Sequence, residues 1–159
     1  MQARILGSFQ LEDGGRRVPL GGVRQRAVFV GLLLHANEVV PSEQLLMDLW
    51  GDDAPPGAAN SLQAAISRLR RVLPRGRLIT ETSGYLLRIF PEELDVSQFE
   101  RLVSEGREAL TAGAAEQAAR TLRQALSLWQ GPALADFRYE PFAEAEIVRL
   151  ERAQERATA

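Results

Sequence analysis

The stretch that most limits how this chain can fold runs from Ala58 to Leu73, AANSLQAAISRLRRVL, directly behind the breaker Pro55-Pro56-Gly57. At about 100° per residue, Leu62, Ile66, Leu69 and Leu73 share one narrow stripe, widened by Ala58, Ala65 and Val72. Asn60, Ala64, Ser67 and Arg71 centre the opposite face, with Gln63 and Arg70 on one flank and Ser61 and Arg68 on the other. One side needs a core to cover it. The other joins small residues to long cations, and from Arg68 through Arg70, Arg71 and Arg75 to Arg77 there are five arginines and no acid. A solvated helix face normally mixes signs. Arginines grouped with Asn, Gln and Ser, side chains able to bond both phosphate oxygens and base edges, suit a helix that lies in a DNA major groove.

The flanking sequence supplies the parts that present such a helix. Val23 to Ala36 is apolar on nearly every side beyond Ala27 and predicts a buried central helix ended near Asn37. Arg24 and Arg26 in its first turn oppose the helix dipole, so solvation or some purpose other than helix stability keeps them there. Ser42 then reads as the N-cap of a short amphipathic helix, EQLLMDLWG, with Gly51 as its stop. Asp52 to Gly57 (DDAPPG) cannot continue that helix, because two prolines and a glycine force a turn. A short helix, a break and a longer helix with a cationic outer face make a helix-turn-helix plan in which the second helix reads DNA.

Beyond the breaker Pro74-Arg75-Gly76, Arg77 to Thr80 and Tyr85 to Ile89 read as strands around Glu81 to Gly84, a hairpin in the place of a wing. Thr80, Thr82, Ser83 and Tyr85 are able to bond phosphates from it, and Arg77 and Arg88 add charge. The Gly84-Tyr85 pair also reads simply as a turn and a core anchor. Ahead of all this, Ala3 to Leu6, Phe9 to Glu12 and Arg17 to Leu20 are short apolar-rich pieces separated by Gly7 and by Asp13-Gly14-Gly15, which predicts a small N-terminal antiparallel sheet. The expected fold class is an α+β winged helix-turn-helix domain over residues 1–90, followed by an all-α, tetratricopeptide-like segment over 91–159.

The helical segment rests on its own periodicity. Asp95 with Gln98 and Ser97 with Glu100 are overlapping capping patterns, and Phe99, Leu102, Val103, Gly106, Ala109 and Leu110 recur at helical spacing up to Gly113. From Ala115 to Trp129 the inner side is Ala118, Ala119, Leu122, Ala125, Leu126 and Trp129, ended by Gly131-Pro132. The two helices should pack as an antiparallel pair, and Pro141 to about Ala157 predicts a third. A unit of a helical array needs neighbours to cover its faces, so the expectation is a fragment, or a short member, of a longer protein.

Composition narrows the function classes. Residues 1–90 hold 11 arginines against 8 acids, a charge of +3, and residues 91–159 hold 8 against 13, a charge of −5. Two parts with different partners fit that division. All 19 basic residues are arginine, as expected from a GC-rich genome. There is no cysteine for a disulfide or thiolate metal site, and the longest apolar run, Ala27 to Leu34, is too short to span a bilayer. The N-terminus lacks the apolar core of a signal peptide, so a cytoplasmic protein without membrane contact is expected. His35 is the only histidine and reads as a helix-end group; Asp52-Asp53 and Glu92-Glu93 sit at breaks and read as solvated ends. No enzyme, metal or cofactor is expected.

Several separated motifs together resemble the antibiotic regulatory protein family of bacteria. They are Val18-Pro19-Leu20-Gly21-Gly22-Val23-Arg24-Gln25-Arg26-Ala27, Leu49-Trp50-Gly51, Asn60 to Leu73 with Ser67-Arg68-Leu69-Arg70-Arg71, Gly84-Tyr85-Leu86-Leu87, and Leu128-Trp129-Gln130-Gly131-Pro132-Ala133-Leu134. The resemblance implies a winged helix similar to the effector domains of response regulators, followed by the start of a bacterial transcriptional activation domain. It implies a sequence-specific activator that binds direct repeats in double-stranded promoter DNA, as a homodimer or side-by-side pair. Recruitment of RNA polymerase through its sigma subunit, often at an antibiotic or other secondary-metabolite cluster, would follow. Carried over by position, Gln63, Ala64 and Arg68 would lie nearest the bases. Ser67, Arg70 and Arg71 would lie nearer the phosphates, with Ser42, Ser61, Arg75, Arg77, Thr80, Thr82 and Ser83 completing the DNA-binding set. Response-regulator wings usually carry a basic residue where this sequence has Glu81, so phosphate bonding and not minor-groove reading is expected from this wing. The alternative reading is an interaction module whose winged helix binds another protein.

Overall fold

The computed structural model describes residues 1–158. In chain order the elements are β1 (Gln2–Arg4), β2 (Gln10–Asp13), β3 (Arg16–Arg17), α1 (Val23–Leu33), β4 (Val40–Pro41), α2 (Ser42–Trp50), α3 (Ala58–Val72), β5 (Leu78–Thr80), β6 (Gly84–Leu87), α4 (Asp95–Thr111), α5 (Ala115–Ser127) and α6 (Pro141–Thr158). They fall into two compact units, one formed by Gly15–Ile89 with Glu140–Ala143, the other by Met1–Gly14, Phe90–Tyr139 and the chain from Glu144 onward.

In the first, winged unit, α1 is the core element: Ala27 to Leu33 are all buried, as a helix apolar on every side requires. It stops at Leu33, three residues before the expected end, and the chain turns out to Asn37, which takes a left-handed φ of 68°. Asn37 tolerates that conformation and fastens it. Its backbone N–H donates to the Leu87 carbonyl at 2.8 Å, its side-chain Nδ2 donates to the Ile89 carbonyl at 2.8 Å, and its Oδ1 accepts the Ile89 N–H at 3.0 Å. The α2 helix opens on Ser42 itself, with Pro41 in the cap position and no side-chain capping bond, so Ser42 is not the N-cap its type suggested. The reason is that Val40–Pro41 is drawn into a strand, and the Ser42 N–H donates to the Ser83 carbonyl at 3.1 Å.

The sheet of this unit has the order β4-β6-β5, with both pairings antiparallel and Val40 opposite Tyr85, Pro41 opposite Gly84 and Thr80 opposite Tyr85. Glycine at 84 is a packing necessity. A Cβ there would sit 2.0 Å from the Val40 carbonyl oxygen and 2.8 Å from the Pro41 Cα, both backbone atoms that cannot yield without breaking the pairing.

The helical unit is built on the α4–α5 hairpin. A Cβ on Gly106 would meet Cγ and Cδ2 of Leu122 at 2.8 Å, so the small residue sets how closely the pair packs. Ala118 and Ala125 are buried on the inner side of α5, and the Phe99 and Trp129 rings meet edge to face at 5.6 Å. Ala119, expected inside, is exposed.

The first fourteen residues, which the sequence reading grouped with the winged helix, pack within this helical unit. β1 pairs with β2, Ala3 opposite Leu11, and Ala3 also forms a parallel bridge to Leu94. Asp95, expected to cap α4, makes no side-chain capping bond. Its carboxylate accepts the backbone N–H of Ile5 at 3.0 Å and 3.1 Å and that of Leu6 at 2.9 Å. Burial raises its pKa above the ordinary carboxylate value, against the pull of the N–H groups of Ile5, Leu6 and Val96. The Gln130 N–H donates to the Leu6 carbonyl, the Leu134 N–H to the Ile5 carbonyl, both at 2.8 Å, and the Asp136 Oδ1 accepts the Phe9 N–H at 2.8 Å. No helix among the described residues is long and apolar enough to cross a membrane.

Candidate nucleic-acid interface

The third helix divides as its periodicity requires. Ala58, Leu62, Ala65, Ile66 and Leu69 are buried, and α3 packs on α1 and α2. Each buried leucine or isoleucine contributes about 1.5–3 kcal/mol to holding the helix in place. Val72, placed at the edge of the apolar stripe by spacing, is 38% exposed, because the helix ends there and the chain turns away. Asn60, Ser61, Gln63, Ala64, Ser67, Arg68 and Arg71 are all exposed on the other side, and Arg75 is exposed in the turn that follows. Arg68, Arg71 and Arg75 make no ion pair or side-chain hydrogen bond among the described residues. Such a face offers guanidinium, amide and hydroxyl groups to an anionic or hydrogen-bonding partner and presents no carboxylate against one.

Two residues fix the end of α2, from which the chain turns toward α3. Gly51, with φ 65°, ends α2, and its N–H donates to the Met47 carbonyl. Arg24, at the start of α1, places its guanidinium 4.2 Å from the Trp50 ring centroid while its Nη1 donates to the Leu49 carbonyl at 3.2 Å. A cation over an indole and at the negative end of a helix is favourable on both counts. This is what keeps Arg24 in a first turn where the dipole of its own helix disfavours it.

At the hairpin the expected residues take different stations. Thr82 and Ser83 are exposed at the tip beside Glu81, and Ser42 lies alongside through its bond to Ser83. Thr80 and Arg70 are occupied with each other: Arg70 Nη2 donates to the Thr80 hydroxyl, and its Nε donates to the Leu78 carbonyl at 3.3 Å. Arg77 Nη1 donates to the Arg88 carbonyl at 3.2 Å. Tyr85 is half-buried between strands, as an anchor would be. No spacing rule connects a helix residue to one ten positions on across a turn, so the Arg70–Thr80 link is not legible in the sequence. Among the described residues, no group of three or more His, Cys, Asp or Glu side chains is placed to hold a metal ion.

Known proteins share this arrangement. A family model described as the C-terminal domain of transcriptional regulatory proteins matches residues 16–87, and one described as a bacterial transcriptional activator domain matches residues 94–159. Regulatory protein DnrI of Streptomyces peucetius is 35% identical over 97% of this chain and 61% of its own length. Transcriptional regulatory protein EmbR of Mycobacterium tuberculosis is 37% identical over 90% of the chain and 39% of its own length. Regulatory protein AfsR of Streptomyces coelicolor is 35% identical over 92% of the chain and 15% of its own length. The chain thus spans less than two thirds of each of these relatives. A solved structure of Mycobacterium tuberculosis EmbR, in complex with a low-affinity phosphopeptide, superposes with a TM-score of 0.94 at 34% identity, covering 99% of this chain and 43% of that one. With a winged-helix regulatory domain followed by a transcriptional activator domain, the chain belongs to the antibiotic regulatory protein family of bacterial transcriptional regulators.

Proposed function

We propose that the chain binds double-stranded DNA in the bacterial cytoplasm by laying α3 in the major groove, and that it activates transcription from promoter direct repeats as a side-by-side pair. Arg68, Gln63 and Ala64 read base edges, Arg68 against a guanine; Ser61, Ser67, Arg71 and Arg75 bond the flanking phosphates; Ser42, Arg77, Thr82 and Ser83 hold the backbone from the hairpin side. The helical segment then recruits RNA polymerase through its sigma subunit, and the regulated genes form a secondary-metabolite cluster. The domain division proposed for function is DNA binding over 1–90 and activation from 91 onward, with the first fourteen residues serving the helical unit structurally.

The observation that supports this reading best is the composition of the exposed side of α3, where Arg68 and Arg71 stand among Asn60, Ser61, Gln63 and Ser67 with no acid and no internal partner. Selection of bound sequences from random duplex DNA, followed by salt titration on the selected site, tests it. Neutralising roughly three phosphates, those met by Arg71, Arg75 and Arg77, gives a slope of log K against log salt near −3. A shallow slope with no sequence enriched by selection would favour a protein partner for the same face and defeat the proposal.

A further inference from the structure

We infer that Arg70 is a positioning residue for DNA binding, one that fixes the hairpin to α3 and does not itself neutralise a phosphate. The inference rests on the DNA-binding reading above and takes Arg70 out of the set that the family resemblance places near the phosphates. Arg70 differs from Arg68 and Arg71 in having its guanidinium engaged within the molecule, Nε to the Leu78 carbonyl and Nη2 to the Thr80 hydroxyl. Both acceptors belong to β5, and they bracket it from end to end. A planar guanidinium held by two donors in fixed directions is rigid in a way that a single bond is not.

The consequence reaches the tip. β5 continues directly into Glu81, Thr82 and Ser83, and that turn is closed by the Glu81 N–H on the Gly84 carbonyl at 2.8 Å and the Gly84 N–H on the Glu81 carbonyl at 3.3 Å. β5 is three residues long and lies at the edge of its sheet, paired on one side only with β6. An edge strand that short derives little register from its ladder alone. Without Arg70, Thr82 and Ser83 would sample positions relative to Arg68 and Arg71 that do not fit one duplex. With it, the hydroxyl groups of the tip and the cations of the helix form a single rigid template.

The test compares the unaltered chain with Arg70→Ala, Thr80→Val, the double variant and Arg71→Ala. Each is titrated with salt on the selected duplex, and backbone amide hydrogen exchange is followed in the absence of DNA. Arg70→Ala and Thr80→Val should each weaken binding about 3- to 10-fold, and the double variant should bind no worse than the weaker single one. Arg70→Ala should leave the salt slope as it is, whereas Arg71→Ala should make it shallower by about 0.9. In the free protein, Arg70→Ala should speed exchange at the Glu81 and Gly84 amides and leave the amides of α3 unchanged, which also establishes that the fold persists. The assignment is overturned if Arg70→Ala reduces the slope by about 0.9 while Thr80→Val binds normally, if the two losses add in full, or if exchange at the tip does not respond. A flat salt dependence of the unaltered chain is a separate failure. It removes the DNA-binding reading, and the positioning role with it, even where exchange shows the link between Arg70 and the hairpin intact.

Discussion

Arg101 and Arg149 of the helical unit and Arg68, Arg71 and Arg75 of the winged unit sit in opposite surroundings. In the helical unit, Arg149 bonds Glu146 at 2.6 Å and 3.0 Å and Glu100 at 2.7 Å, and Arg101 pairs with Glu105 at 3.2 Å. The bonds to Glu146 raise the Arg149 pKa above its already high value, with those to Glu100 adding to the effect and burial opposing it. In the winged unit, Arg68, Arg71 and Arg75 have no acid beside them among the described residues. Paired cations belong to the molecule's own surface, whereas the unpaired ones carry a mutual repulsion of about 0.2–0.5 kcal/mol per neighbouring pair, only partly offset by the favourable end of the helix dipole. A fold gains nothing from that repulsion. On the proposed function, the offset comes when a polyanion arrives.

That contrast can be broken at several points. The largest effect is expected from Gly84→Ala, which leaves every arginine in place but drives a Cβ into the Val40 carbonyl; the winged unit should lose about 3 kcal/mol in denaturant unfolding, and DNA affinity should fall with it. Next comes Asp95→Ala, which strands the Ile5 and Leu6 N–H groups. It should cost the helical unit about 2–3 kcal/mol while the affinity of the winged unit for DNA stays the same, and equal losses in both measurements would falsify the separation of roles. Arg68→Ala should leave the melting temperature within a degree or two and reduce discrimination at one base pair by about 1–3 kcal/mol, measured as the ratio of affinities for selected and mismatched duplexes. Arg149→Ala should be the mildest, at most about 1 kcal/mol in stability because Arg149 itself and its partner Glu100 are about half exposed to water, with no change in DNA binding.

Much of this molecule was legible because its signals are local. The apolar stripe of α3, the all-round apolar face of α1, the stop at Gly51 and the hairpin around Glu81 to Gly84 each follow from a period or a turn residue, and the exposed set Ser61, Gln63, Ser67, Arg68 and Arg71 follows from the same stripe. What could not be read is partnership across distance. Residues Ala3 to Leu6 look like strand wherever they end up, and nothing in them names Asp95 or Leu134 as what they will meet. Asp95 beside Gln98 satisfies a capping pattern, yet its carboxylate is claimed by Ile5 and Leu6, where the bonds are buried and worth more than an exposed cap. Ser42 lies one residue past the cap because β4 takes Pro41, and Arg70 looks in the sequence like one cation among five because its ties to Leu78 and Thr80 cross a turn.

The placement of residues 1–14 has a consequence for how the chain comes into being. Ile5 and Leu6 must wait for Asp95, Gln130 and Leu134, and Phe9 for Asp136, so on the ribosome this segment, its own β1–β2 pairing apart, emerges well before the partners it packs against exist. The winged unit between them is contiguous apart from four residues and is free to form during that interval. Its early completion leaves the apolar side chains of Ile5, Leu6 and Phe9 uncovered until translation has passed the second helix of the following hairpin.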